Sequence, residues 1–260
     1  MLGVTILGNN SAIPAHGRHP TAQVITTPDD LLLFDCGEGT QIQILNYKIR
    51  RGRINHIFIS HLHGDHYFGL VGLLSSFALL GRNQPLTVYG PAPLKDLMER
   101  HFALSETDLP YPLHFHTLEG AGLLLDAPHY TVSCFDTKHR VECRGFLIRQ
   151  KKAERRRSDK PRSYAFTADT QFDEDLIEVV KGVDLLYHET TYPHALADKA
   201  YARFHSTTHQ AAEIAKRAQV GKLLIGHFSA KFEAIEPFES EARELFPNTE
   251  AAREGVTYLV

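Results

Sequence analysis

The spacing of apolar positions changes along the chain, and the changes separate two kinds of segment. Short apolar runs at residues 4–7, 22–26 and 31–34 are bounded by the turn-rich stretch 8–14 and by Pro28-Asp29-Asp30. Proline and aspartate favour turns there by fixing φ and by bonding to the local backbone. These runs predict three strands in an antiparallel meander. Residues 39–46 predict a short helix and 54–60 a further strand. From residue 65 the period lengthens, with Phe68, Val71 and Leu74 on one side of a helix over 65–80 that Gly81 ends. A strand at 86–90 and a helix at 91–102 follow, the helix with its proline near the first turn, where a missing N–H costs little.

Alternation within 112–150 predicts several strands, among them 130–135 and 145–149. Beyond residue 162 strand and helix take turns: strands at 163–167, 183–187 and 222–226, helices at 174–181, 207–218 and 237–246. The helix at 207–218 carries Ala211, Ile214, Ala215 and Ala218 along one face, with Ser206 or Thr207 as its cap and Gly221 as its end. No Gly/Ser linker and no short repeat interrupts the pattern, so residues 1–260 are expected to form one domain with a substantial core.

Composition narrows the setting. No apolar run approaches the length of about 18 that a membrane span needs, and the start lacks a basic region followed by a signal-type apolar core. The expectation is a cytoplasmic protein with no membrane partner. Cys36, Cys134 and Cys143 lack zinc-knuckle spacing and are read as reduced, mostly buried thiols. Net charge is −3, yet residues 151–162 carry seven basic and two acidic side chains. A local patch matters more than the sum for binding phosphates. A solvated turn explains the same composition.

The candidate chemistry centres on His61-Leu62-His63-Gly64-Asp65-His66, which leaves a predicted strand. Neutral imidazoles and carboxylates both donate to zinc. Strand alternation puts His61 and His63 on one side, whereas Asp65 and His66 follow a turn, which suggests two adjacent metals, one on each pair. Further ligands should lie at later strand ends, where His139, Asp169 and His227 stand. His114 and His116 repeat the His-x-His spacing, but no carboxylate or third histidine follows, and a structural role is preferred.

The stretch resembles the signature of the metallo-β-lactamase superfamily, and Phe34-Asp35-Cys36-Gly37-Glu38-Gly39-Thr40-Gln41 narrows the resemblance to its ribonuclease Z branch. The resemblance implies an α/β, four-layer αββα sandwich. It assigns His139 to the first metal, His227 to the second and Asp169 as a bridge. Asp65 is expected both to hold the second metal and to orient the attacking water. The resemblance makes His205 the proton donor to the leaving group, held by Glu189 of His188-Glu189-Thr190-Thr191. Arg18, Thr170, Ser206 and Thr207 are weaker candidates for holding substrate phosphate.

Departures from the branch bear on substrate. The family's Pro-x-Lys-x-Arg-Asn loop reads Pro14-Ala15-His16-Gly17-Arg18-His19 here, and Val71 stands where the family has proline. Only 29 residues separate His139 from Asp169, where long relatives insert an arm that grips tRNA. What remains is the basic segment with Arg155, Arg156 and Arg157. The expected function is that of a dinuclear zinc phosphodiesterase, manganese being acceptable to the same ligands, which trims the 3′ trailer of precursor tRNA. A small-molecule or cyclic-nucleotide phosphodiesterase is the alternative, and a silent RNA-binding scaffold a third reading. A homodimer is implied by resemblance alone.

Overall fold

The strand Leu31–Phe34 shows how the layers arise, because all four of its residues are apolar and buried. Alternation turns Leu31 and Leu33 toward a helical layer and Leu32 and Phe34 toward a second sheet. A strand buried on both faces reads as a continuous apolar run, which is how this one appears in the sequence. The computed structural model describes residues 1–152 and 160–260.

Two seven-stranded sheets face each other. The first runs in the order Thr257–Leu259, Gly3–Gly8, Ala22–Thr26, Leu31–Phe34, Ile54–Phe58, Leu86–Gly90 and Leu113–Thr117. The second runs Thr249–Ala251, Lys222–Gly226, Leu185–Glu189, Ser163–Phe166, Arg144–Gln150, Tyr130–Asp136 and Gly122–Asp126. Phe34, Phe58, Phe146, Phe166, Tyr130, Tyr164 and Tyr187 pack between them as the central core. The helices Thr40–Asn46, Leu70–Leu79 and Pro93–Leu104 cover the first sheet, and Leu176–Val179, Thr208–Arg217 and Glu236–Leu245 the second. This is the four-layer αββα sandwich of the metallo-β-lactamase fold.

The meander is limited to the first three long strands, since Leu31–Phe34 pairs in parallel with Ile54–Phe58. The helix expected over 65–80 is two pieces, Gly64–Tyr67 and Leu70–Leu79. Gly69 gives its N–H to the Cys36 carbonyl at 2.9 Å instead of to the preceding turn. A Cβ at Gly69 would lie 2.1 Å from the Gly37 oxygen, so the two backbones touch there. Phe68 is consequently 64% exposed, and the buried face carries Leu70, Leu73, Leu74 and Phe77. The helix expected over 174–181 is the single turn Leu176–Val179. Thr207, not Ser206, caps Thr208–Arg217, in a reciprocal box with Gln210. Gln219 takes the left-handed position after that helix, while Gly221 is needed where the backbone meets the Asp184 carbonyl. The short strands Asn10–Ser11 and Phe228–Ser229 and the helix Ala197–Ala202 lack a sequence period long enough to announce them.

Candidate active site

The site lies where strands of both sheets end. His61 follows Ile54–Phe58, and His63, Asp65 and His66 surround the turn Gly64–Tyr67. From the second sheet come His139, between Tyr130–Asp136 and Arg144–Gln150, and Asp169, after Ser163–Phe166. Glu189 ends its strand opposite Gly226, so His227 emerges beside it. The turns are sharp: Ala12, Asp35, Ala168, Phe204 and His227 all have positive φ. Such backbone costs on the order of 1–3 kcal/mol per residue and persists where the surrounding structure enforces it.

Two groups of donors result, and Asp169 joins them. His63 Nδ1 lies 3.0 Å from His61 Nε2 and 3.1 Å from His139 Nε2. Asp169 Oδ2 lies 3.6 Å from His61 Nε2 and 3.8 Å from His139 Nε2. Its other oxygen, Oδ1, lies 3.4 Å from His66 Nε2 and 3.2 Å from His227 Nε2. Asp65 Oδ2 completes the second group, 3.3 Å from His227 Nε2 and 3.6 Å from His66 Nε2.

The donor set fits a divalent metal on three counts. Each group brings its ligand atoms within 4.8 Å of one another. His66 Nε2 and Asp169 Oδ1 are buried with no hydrogen-bond partner among the described residues, a costly state unless a cation satisfies them. The outward nitrogens, meanwhile, are held as ligating histidines require. His66 Nδ1 donates to Asp35 at 2.7 Å, His139 Nδ1 to the Phe204 carbonyl at 2.9 Å, and His227 Nδ1 to Thr191 Oγ1 at 2.8 Å. His61 Nδ1 meets Ser60 Oγ at 3.0 Å, and that hydroxyl itself donates to Asp35.

Electrostatics agree. Burial, with neighbouring His66, pushes His61 well below the usual imidazole range, and burial with His139 brings His63 down to about 4. Both are therefore neutral lone-pair donors. Burial opposes ionisation of Asp169 and Asp65, but the surrounding histidines outweigh it and hold both carboxyls far below their ordinary range. Against burial again, Asp169, Asp65 and Asp35 hold His66 well above its own. The pocket demands positive charge.

Glu189 belongs to a third group with Asp169, His205 and His227, but its oxygens are committed otherwise. Oε1 accepts from Thr170 N at 3.1 Å and His205 Nδ1 at 2.7 Å, and Oε2 from Thr191 N at 3.1 Å and Thr191 Oγ1 at 2.7 Å. Burial disfavours charging His205, but Glu189 and Asp169 prevail and raise its pKa to about 9. A protonated imidazole thus stands beside the donor groups, on a cavity of about 260 Å³ lined also by His63, Asp65 and Asp169.

The weaker phosphate candidates fare differently. Arg18 donates to Asn10, Phe232 and Glu233, tying two loops together. Thr170 Oγ1 donates to the Gln171 carbonyl, Ser206 Oγ to the Thr170 carbonyl, and Thr207 caps its helix. Each of these four candidates thus has a partner within the protein. Arg155, Arg156 and Arg157 lie outside the described residues. The segment that carries them leaves Gln150 and returns at Ser163, and Arg149 pairs with Ser163 at the end of the sheet away from the site. His114 and His116 are exposed on the edge strand Leu113–Thr117 and belong to none of the donor groups. The sequence reading missed Asp35 and Thr191. Asp35 carried a signal, a carboxylate at a strand end, whereas Thr191 had none.

The beta-lactamase superfamily domain matches residues 31–228. A ribonuclease Z of Parabacteroides distasonis is 37% identical, covering 99% of this chain and 98% of that protein. One of Cytophaga hutchinsonii is 39% identical over 98% of this chain and 95% of that protein. The crystal structure of human tRNase Z, short form, superposes with a TM-score of 0.85 at 31% identity over 99% of both chains. YhfI from Bacillus subtilis, a metallo-beta-lactamase fold protein, has a TM-score of 0.80 at 21% identity, a likeness of fold alone.

Proposed function

We propose, from the premise that this chain belongs to the beta-lactamase superfamily and to the ribonuclease Z family within it, that it is a metal-dependent endonuclease of tRNA 3′ processing. The observation that carries the reading is the pairing of Glu189 with His205 beside two donor groups that share Asp169. Hydrolysis of a phosphodiester needs a stabilised oxyanion, an oriented water and a proton for the leaving alkoxide, and these residues supply positions for each.

His61, His63 and His139 would hold one zinc ion and Asp65, His66 and His227 a second, with Asp169 available to both. Manganese suits the same nitrogen and oxygen donors. When bound, two such ions supply Lewis acidity that neutralises phosphoryl charge and brings the pKa of a water toward 7. Asp65, steadied by the Ala12 N–H at 2.7 Å, orients the attacking water as well as serving as a ligand. His205 gives its proton to the departing 3′ oxygen, which leaves the tRNA with a 3′ hydroxyl. Glu189 keeps that imidazole protonated and fixes its ring by Nδ1.

No helix among the described residues is long and apolar enough to cross a membrane. The three cysteines are free and buried, which supports a reducing, cytoplasmic setting. We further propose a homodimer, for which the exposed Ile42, Leu45, Leu79 and Leu80 on two adjoining helices offer an apolar face.

The test is to give the metal-loaded protein a precursor tRNA and a small chromogenic phosphodiester and compare kcat/KM. Preference for the precursor supports this reading. The short span between His139 and Asp169 favours a second one, a small-molecule phosphodiesterase. Efficient hydrolysis of the small ester with no cut in the precursor would establish that reading instead.

A further inference from the structure

Arg140 follows His139 directly and stands at the rim of the active-site cavity, where it is the only lysine or arginine among the described residues that line it. It is exposed, and its Nε donates to His63 Nε2 at 3.1 Å. Its two terminal nitrogens have no hydrogen-bond or ion-pair partner among the described residues. Arginines that tie this fold together look different: Arg144 is anchored by Asp136 and Glu142, and Arg18 by Asn10 and two carbonyls.

The contact with His63 is itself at odds with metal binding. His63 faces the other donors through Nδ1. A neutral imidazole that gives the Nδ1 lone pair to a metal carries its hydrogen on Nε2, so that nitrogen has nothing with which to accept from an arginine. The metal-loaded site therefore removes the one partner Arg140 has. All five N–H groups of the guanidinium are then available at the mouth of the cavity, in a planar fork that matches phosphate oxygens.

We propose that Arg140 is a substrate-binding residue that pairs with a phosphate of the RNA chain flanking the one that is cut. The inference rests on the RNA-cleaving reading above. It also answers a need left by the geometry: Arg18 is engaged elsewhere, and the basic segment after Gln150 leaves the far end of its sheet.

The experiment uses a His205→Ala background, in which slow turnover lets binding of labelled precursor tRNA to the metal-loaded protein be followed by fluorescence anisotropy. Adding Arg140→Ala should weaken binding roughly ten-fold, the worth of one charge-assisted contact. The slope of log Kd against log salt should fall by about one. Arg140→Lys, which keeps the charge without the fork, should recover the slope but only part of the affinity. In the otherwise unmodified enzyme Arg140→Ala should act on KM more than on kcat, with metal content retained. An unchanged salt slope together with loss of bound metal would overturn the proposal and make Arg140 a positioning residue for His63. Failure of the parent to bind precursor tRNA at all, with the small ester still hydrolysed, would instead overturn the RNA reading and this inference with it.

Discussion

Glu189 holds His205 by a 2.7 Å hydrogen bond to Nδ1, and the other three bonds to its carboxylate come from Thr170 and Thr191. Glu189 is fully buried and saturated, so it is a support for His205 and has no lone pair to offer a metal. His205→Ala should slow cleavage by roughly 10²–10⁴-fold, the usual contribution of a positioned general acid. Metal content, measured by elemental analysis, should stay at the parent's value. A parallel fall of metal and activity would move His205 into the ligand set.

Asp35 supports the other side of the site in the same way. It is buried, accepts from His66 Nδ1 at 2.7 Å and takes both the N–H and the hydroxyl of Ser60. Asp35→Asn should lower metal affinity by about 10–100-fold, as loss of a partner behind a ligating histidine commonly does. Competition with a chromogenic chelator measures this, and an unchanged affinity would show that His66 needs no such support.

Gly69 is a packing requirement. A methyl group there would meet the Gly37 oxygen at 2.1 Å, on the loop that also carries Asp35. Gly69→Ala should therefore cost roughly 1–3 kcal/mol in urea unfolding and weaken metal binding in step. Gly52, with open space around it, is the control, since Gly52→Ala should have little effect.

Glu239 gives a pH signature far from the site. Burial works against its charge, but the Ala251 N–H, Arg253 and Arg243 outweigh that and lower its pKa. A carboxyl depressed in the folded state contributes stability above its unfolded pKa and loses it as pH falls through the folded one. Glu239→Gln should thus cost roughly 1–3 kcal/mol near pH 7. The difference from the parent should shrink below about pH 4. Parallel stability curves across that range would contradict the assignment.

Legibility in the sequence followed the length scale of each interaction. The run Leu31–Phe34 announces a doubly covered strand because burial on both faces removes polar positions. The pairing of His61 with His63, and of Asp65 with His66, is local, and His139, Asp169 and His227 stand at strand ends, which is why the sequence offers them as candidates; Glu189 and His205 are offered by the resemblance alone. What it concealed depends on contacts between distant segments. The helix break at Gly69 arises from Cys36 and Gly37, and Thr191 matters because its hydroxyl meets the distant His227. The hydroxyl of Ser206 seemed free in the sequence, and the distant Thr170 carbonyl accepts from it.

The central claim is that two donor groups joined by Asp169 serve cleavage of a precursor tRNA at its 3′ trailer. The most direct measurement maps the product ends when metal-loaded protein and a folded, metal-loaded Asp65→Ala variant are each given such a precursor. The parent should make a single cut that leaves a 3′ hydroxyl on the tRNA, abolished by chelator and restored by zinc or manganese, and Asp65→Ala should make none, with less metal bound. A precursor left intact by the parent, or near-normal cutting by the Asp65→Ala protein, would contradict the account.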